Sequence, residues 1–192
     1  GSGGIITIDG GSVTATGGDN GAGIGGGIGG SGGSFATGTD GHALIFANGG
    51  ISDKSNQNSW SGIIFEGDTG EVYKDQTLQE NIEIPSGKTL TVPKNITLTV
   101  KNGVTLTNSG TITGDGTLDG EGNLAGSGTV ANIIRNNLQK DSNVTVSGNL
   151  RFQGGHHCHH IQRGHYIQSG KCHHSCSRKS KPSGIFRWDE QQ

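Results

Sequence analysis

Aliphatic residues return at a regular spacing through the middle of the chain. Between Thr89 and Val130 the spacing is eight residues, then eight, then six four times, at Leu90, Leu98, Leu106, Ile112, Leu118, Leu124 and Val130. A fixed short period of this kind is typical of a solenoid, because a unit this small buries its apolar side chain only against neighbouring units. The pattern predicts that these aliphatics stack inward as a ladder.

Each aliphatic has strand-forming neighbours, chiefly threonine, and Gly, Asn or Asp separates consecutive units. Threonine and other β-branched residues favour strands, whereas Gly, Asn and Asp tolerate the positive φ of tight corners. Each unit is therefore predicted to be one short strand and one turn. Three units to a coil give one coil of 22 residues followed by one of 18, and predict an all-β, three-sided parallel β-helix.

A shorter glycine-rich period occupies residues 1–18 and predicts two short strands. Apolar residues alternate there with polar ones, as in strands with one buried face: Ile6, Ile8, Val13 and Ala15. The following segment, 18–33, has the composition of a flexible linker. We interpret it instead as a compressed solenoid turn that buries Ile24 and Ile28, because a linker has no use for regularly placed isoleucines.

Residues 34–80 join the two repeat zones. Segments 43–47, 63–65 and 71–73 are strand-like and separated by glycines. We expect the aromatic side chains of this zone to pack within or cap the solenoid rather than to form an exposed sugar-stacking platform: Phe35, Phe46, Trp60, Phe65 and Tyr73. The predicted regions are a glycine-rich repeat at 1–50, a β-solenoid at 51–131, and at 132–192 a strand-like remnant followed by an irregular or disordered tail.

Composition and charge narrow the function classes. Only 28% of the chain is hydrophobic and 38 of its 192 residues are glycine, which disfavours a globular core but suits the narrow core of a solenoid. A net charge of −2 gives no reason to expect nucleic acid. No apolar stretch is long enough to span a membrane. The chain begins at Gly1 and has no methionine, so we treat it as a fragment whose targeting signal lies elsewhere.

Two strings resemble a known type of protein. GGSVTATGGDNGAGIGGG, within 10–27, and IPSGKTLTVPKNITLTVKNGVTLTNSGTITGDGTL, within 84–118, resemble the glycine-rich β-solenoid repeats of large secreted or cell-surface proteins of anaerobic bacteria. The resemblance implies an extracellular or cell-surface location and a structural or binding role. It implies as partners a polysaccharide or a host or cell-wall glycan, together with the rest of the parent surface protein. It supplies no catalytic residue.

Three acidic residues, Asp115, Asp119 and Glu121, lie close together in the repeats. Since β-helices include polysaccharide lyases and glycosidases, these acids are candidates for catalysis, which needs two carboxyls facing each other across a groove. Each of them adjoins glycine in a predicted corner, however, where Asp is favoured by local hydrogen bonding. We therefore expect no catalytic residue and no cofactor, and keep the three acids as calcium candidates.

Paired threonines flank several inward aliphatics: Thr89/Thr91, Thr97/Thr99, Thr105/Thr107 and Thr111/Thr113. They predict two parallel outward files, an arrangement that ice-binding solenoids present. The simpler explanation is that threonine is common on the solvent face of strands. We expect the change of spacing from eight to six to disturb a flat lattice.

The composition changes abruptly from about Gly155, where seven of the eight histidines and all three cysteines are found. Zinc could take Cys158, Cys172, Cys176 and a histidine such as His160 or His165, although the spacings match no zinc finger. A disulfide arrangement leaves one cysteine over, and a disordered basic tail needs no site at all.

A fourth interpretation of the tail, which we favour, is translation in the wrong frame. Read one base later, His codons encode Thr, Ile or Met, and Cys codons encode Val or Ala. A His/Cys-rich string is therefore what a Thr/Val/Ile-rich strand becomes one base out of frame. With allowed codons, 155–168 converts to ATIVTIYNGDTISS, which is a strand, an Asn-Gly-Asp turn and another strand.

These patterns together predict a non-catalytic stalk or adhesive module of a bacterial surface or secreted protein that contacts glycans. Two alternatives are a polysaccharide-degrading β-helix enzyme and a protein that binds metal through its tail.

An out-of-frame tail is expected to add no cooperative unfolding transition and to bind Zn²⁺ only weakly, because it lacks a packed second shell of partners. Zinc titration of the full chain against a chromophoric chelator measures the affinity. A tight one-to-one zinc complex would contradict this interpretation. Sequencing the coding DNA across codons 153–192 provides an independent check.

Overall fold

The computed structural model describes residues 4–131, 133–135, 139–140, 145–147, 158–162 and 165–169. Its regular elements are strands, apart from a 3-10 helix at Gln57–Ser59. Among the described residues, no helix has the length and apolar character needed to cross a membrane. The strands are β1 Ile6–Thr16, β2 Phe35–Asn48, β3 Gly62–Glu66, β4 Thr69–Tyr73, β5 Gln76–Leu78, β6 Ile82–Ile84, β7 Thr89–Thr91, β8 Thr97–Val100, β9 Thr105–Asn108, β10 Thr111–Thr113, β11 Thr117–Asp119, β12 Asn123–Ala125, β13 Thr129–Ala131, β14 Ile134–Arg135, β15 Gln139–Lys140, β16 Thr145–Ser147, β17 Cys158–Gln162 and β18 His165–Ser169.

From β4 onward the chain winds as a three-sided parallel β-solenoid, which confirms the predicted fold class. Successive strands visit three sheets in turn, so that every third strand pairs with the one before it: β4-β7-β10-β13-β16, β5-β8-β11-β14 and β6-β9-β12-β15. Thr89 pairs with Thr111, and Thr111 pairs with Thr129. The two coils are therefore 22 and 18 residues long, as predicted.

The periodic aliphatics form the core of this solenoid. All seven are fully buried in one apolar cluster, and burial of a side chain of this size contributes about 1.5–3 kcal/mol. Consecutive aliphatics lie on different sheets, and each of the first four stacks on the aliphatic three units later. The predicted ladder is thus three columns: Leu90–Ile112–Val130, Leu98–Leu118 and Leu106–Leu124.

The change in spacing from eight to six residues is absorbed at the corners. In the longer coil, one corner makes a turn in which Ile96 N donates to Pro93 O at 3.1 Å. The shorter corner above it crosses directly, with Gly116 N donating to Val92 O at 3.0 Å and Thr117 N to Ile96 O at 2.9 Å. A six-residue unit therefore stacks on an eight-residue unit without breaking the ladder.

The N-terminal strands enclose a second core on the opposite face of the large sheet. β1, β2 and β3 run parallel to each other. Side chains alternate between the two faces of a strand, so Leu44 packs in the solenoid core while its neighbour Ile45 packs in the second core. The segments that follow β1 and β2 cover this face with Ile24, Ile51 and Trp60.

The β3–β4 hairpin connects the two cores. β3 pairs antiparallel with β4, and β4 pairs parallel with β7. The strands after the hairpin therefore run opposite to β1–β3, and their coils close on the opposite face of the shared sheet. This double reversal is equivalent to rotating the coil by 180° about the axis along which the strands stack. Because a rotation does not change handedness, the coils before and after the hairpin wind with the same hand.

Most of the predicted N-terminal elements are present. The strand-like segments 43–47, 63–65 and 71–73 lie within β2, β3 and β4. The two strands expected in residues 1–18 are one strand, β1, whose register on β2 shifts between Ile8 and Gly10. Ile24 is buried, as expected, and pairs with Ile51.

The expectation for Ile28 was wrong, since its side chain is 76% exposed. It lies within a turn closed by the hydrogen bond from Gly30 N to Gly27 O, which holds it away from the Ile24–Ile51 ladder. In the predicted tail, β17 pairs antiparallel with β18.

Glycine at one corner is required by close contact between coils. Gly120 has a φ of 117°, and a Cβ there would lie 2.1 Å from Val100 O. We expect Gly120→Ala to lower the free energy of unfolding by about 2 kcal/mol or more. Chemical denaturation checks this, with Gly27→Ala as the matched control because Gly27 has open space around it. Equal effects of the two substitutions would contradict the packing described for this corner.

Candidate functional site

A pocket lies where the large sheet extends beyond the other two. The outermost strands of the two smaller sheets are β5 and β6. Among the described residues, those sheets have no strands level with β1–β3 of the large sheet. The resulting step encloses a pocket of about 270 Å³. Its lining comes from β1, β2, β3, β5, β6 and the segment between β5 and β6: Gly11, His42, Ala43, Leu44, Ile63, Gln76, Thr77, Leu78, Gln79, Glu80 and Ile82.

Aliphatic and hydrogen-bonding side chains line this pocket together. Leu44 and Leu78 are buried, while His42 and Glu80 are exposed. Gln76 is 5% exposed and is held in place by its Nε2, which donates to Tyr73 O at 2.8 Å and to Ser61 Oγ at 3.4 Å. The lining includes no Phe, Tyr or Trp ring on which a sugar could stack.

The pocket lining also includes only one carboxylate, that of Glu80. A glycosidase of the usual kind needs two carboxyls flanking the scissile bond. The lining can therefore hydrogen-bond a polar ligand, but it does not supply a catalytic carboxylate pair. Sequence reasoning missed these residues because only the winding of the chain brings 42–44 beside 76–82.

The three acidic candidates lie at corners of the solenoid. Asp115 is exposed between β10 and β11, and Glu121 is exposed between β11 and β12. Asp119 ends β11, and its Oδ1 accepts a hydrogen bond of 2.7 Å from Gly120 N. The described part of the chain contains no group of three or more His, Cys, Asp or Glu side chains placed to share a metal ion.

The zinc candidates are only partly within the described residues. Cys158 and His160 belong to β17, opposite Ser169 and Ile167 of β18. His165 begins β18, opposite Gln162. The remaining two candidates, Cys172 and Cys176, lie outside the described residues, so this ligand set stays a prediction.

Threonines form a continuous file on the outer face of the large sheet. Four strands contribute one each in register: Thr69, Thr89, Thr111 and Thr129. The neighbouring file, two residues further along each strand, is mixed: Glu71, Thr91, Thr113 and Ala131. The change in spacing leaves this register unbroken, because the corners absorb the difference in length. The prediction of two files built from all four threonine pairs was wrong, because Thr97/Thr99 and Thr105/Thr107 lie on β8 and β9 in the other two sheets.

The aromatic residues are packed, as expected. Trp60, Phe35 and Phe65 are almost completely buried. Trp60 lies edge-on to Phe35 at 5.0 Å between ring centroids and to Tyr73 at 5.4 Å. On the other face of the sheet, Phe46 stacks on Phe65 at 4.9 Å. These rings stabilise the two cores rather than forming an exposed platform.

Tyr73 lies at the edge of the second core with its hydroxyl partly buried. Burial raises the pKa of this hydroxyl above its ordinary value of 10.0. The hydrogen bond that Gln57 Nε2 donates to it, at 2.6 Å, acts to lower the pKa, and the charges of Glu71 and Glu66 act to raise it. The net effect favours the neutral tyrosine in the folded protein.

The sequence has no match among protein-family models, among curated proteins or among solved structures. The class of protein is therefore defined by the fold alone, as a parallel β-solenoid that shares one sheet between two cores.

Because its pKa is raised in the folded state, Tyr73 stabilises the fold below about pH 10, and this contribution is lost as the pH rises further. We expect Tyr73→Phe to lose less stability than the wild type as the pH rises above about 10. Urea denaturation across this range measures both proteins. Parallel stability curves for the two proteins would contradict the assignment to Tyr73.

Proposed function

We propose that this chain is a non-catalytic structural and adhesive module of a secreted or surface protein of a bacterium, and that it contacts glycans. The observation that carries the proposal is the unbroken stack of coils around fully buried aliphatic columns. Each coil contacts chiefly its neighbours, so such a stack is a natural spacer whose length grows with the number of repeats.

The outer surface of the stack fits a binding role better than a catalytic one. Its long face offers threonine hydroxyls in register, and the pocket at the step offers amide, hydroxyl and carboxylate groups. Such groups hydrogen-bond sugar hydroxyls without chemistry. The extracellular location rests on the resemblance of the glycine-rich strings to surface-protein repeats.

The rival function is cleavage of polysaccharides. Its best support is the pocket, where Glu80 and His42 line one cavity. A catalytic acid also needs a partner, and among the residues that line this pocket there is no second carboxylate.

Incubation of the full chain with polyuronates, xylan and glycosaminoglycans is expected to release neither reducing ends nor unsaturated products. Binding to the same panel, and to isolated bacterial cell walls, is measured in parallel by co-sedimentation and is expected for at least one member. Product formation that is lost in Glu80→Gln would contradict the proposal and establish the rival. Absence of both products and binding would contradict the glycan contact.

The binding surface can be located with two matched variants. Thr111→Val together with Thr113→Val removes hydroxyls from the long face while keeping side-chain shape, and Gln79→Leu removes an exposed amide from the pocket. We expect one of the two to weaken glycan binding at least about threefold and the other to leave it unchanged. Unchanged binding in both would place the contact elsewhere and contradict both assignments.

A further inference from the structure

β1 is the outermost strand of the large sheet, and within the described residues it pairs only with β2. Its run 10–16 pairs without interruption with 42–48. The outermost strands of the two smaller sheets, β5 and β6, have three residues each. Very short edge strands resist pairing with other chains, whereas a long edge is a template for it. Among the described residues, β1 is thus the longest strand with only one paired edge at this side of the stack.

The unpaired backbone groups of β1 can be assigned from its hydrogen bonds. Gly17 N donates to Asn48 O at 3.0 Å, so the backbone of Gly17 faces β2. Backbone groups alternate in direction along a parallel strand. Ser12, Thr14 and Thr16 therefore point their N–H and C=O groups away from β2, toward the open side.

The composition of this edge favours pairing with a second copy of itself. Residues 10–16 read GGSVTAT, without charge or proline. The features that commonly protect an edge, a charge at Asp9 and a register shift between Ile8 and Gly10, lie before this run, so the run itself has neither. If the two copies pair antiparallel about Val13, Ser12 of each copy lies opposite Thr14 of the other copy. Both residues point their backbone groups outward, so these are hydrogen-bonded pairs. Asp9 then lies opposite Gly17 of the second copy, and no like charges meet.

Three exposed apolar side chains lie in the same N-terminal part of the chain as β1. Ile5, Ile6 and Ile28 are the large hydrophobic residues that are exposed in the described chain, at 83%, 40% and 76%. All three lie N-terminal to β2, whereas the aliphatics of the later coils are buried.

We propose that two copies of this chain associate through antiparallel pairing of β1 about Val13, which joins their large sheets into one continuous sheet. The interface is symmetric, because the same strand is used by both copies. Two solenoids then extend in opposite directions from a common centre. This association is independent of the glycan binding proposed above.

Sedimentation velocity of the full chain over a range of concentrations tests the dimer. We expect the mass to rise from 19.7 kDa to twice that value. Thr14→Pro removes an outward N–H without removing a bond to β2, and is expected to weaken dimerisation at least about tenfold. Thr14→Val keeps the N–H and is the matched control, expected to dimerise like the wild type. A wild type that stays monomeric, or that binds only other proteins, would overturn the proposal.

A disulfide provides a second readout that does not depend on the proline variant folding. Residues at a non-hydrogen-bonded antiparallel position have Cα atoms about 4.5 Å apart, within disulfide range. Val13→Cys is expected to form a covalent dimer under mild oxidation, and peptide mass spectrometry identifies a link between the two copies of position 13. Oxidation of the wild type under the same conditions is the control, because it shows any disulfide that the native cysteines form. Absence of the link at position 13 would contradict the proposed register.

Discussion

Stacking of one coil on the next is the interaction on which the whole structure depends. No single unit has enough apolar surface to fold alone, since it contributes about one aliphatic side chain to the core. The parallel ladders place Leu98 under Leu118 and Leu106 under Leu124, and every one of these side chains is fully buried. Backbone hydrogen bonds between coils and dry aliphatic columns are therefore formed together, and neither survives without the other.

The reversal at the β3–β4 hairpin gives the molecule its two distinct ends and faces. The coils that connect β1, β2 and β3 close on one face of the large sheet, and the coils after the hairpin close on the other. β3 is consequently buried on both faces. The same reversal leaves the step that holds the pocket, because β1–β3 have no neighbouring strands in the two smaller sheets among the described residues.

Much of the solenoid could be predicted from the sequence because its determinants are local. Leu90, Ile112 and Val130 are spaced so that three units close a coil, and the coil lengths follow directly. The hairpin reversal could not be predicted, because alternation in 43–47 suits a strand buried on either face. The burial predicted for Ile28 was wrong for a related reason. A turn between Gly27 and Gly30 directs its side chain outward, and the regular spacing of the isoleucines does not indicate that turn. The pocket was missed because it joins residues more than thirty positions apart.

Hydrogen exchange of individual backbone amides, measured by NMR on the folded full chain, tests the stacked-coil account most directly. The amides of Thr117 and Thr129 donate to Ile96 O and Gly110 O of the preceding coil. Their exchange should require unfolding of whole coils, and so be slower than that of exposed residues such as Ile28 by several orders of magnitude. Exchange of the Thr117 and Thr129 amides as fast as that of Ile28 would contradict the account.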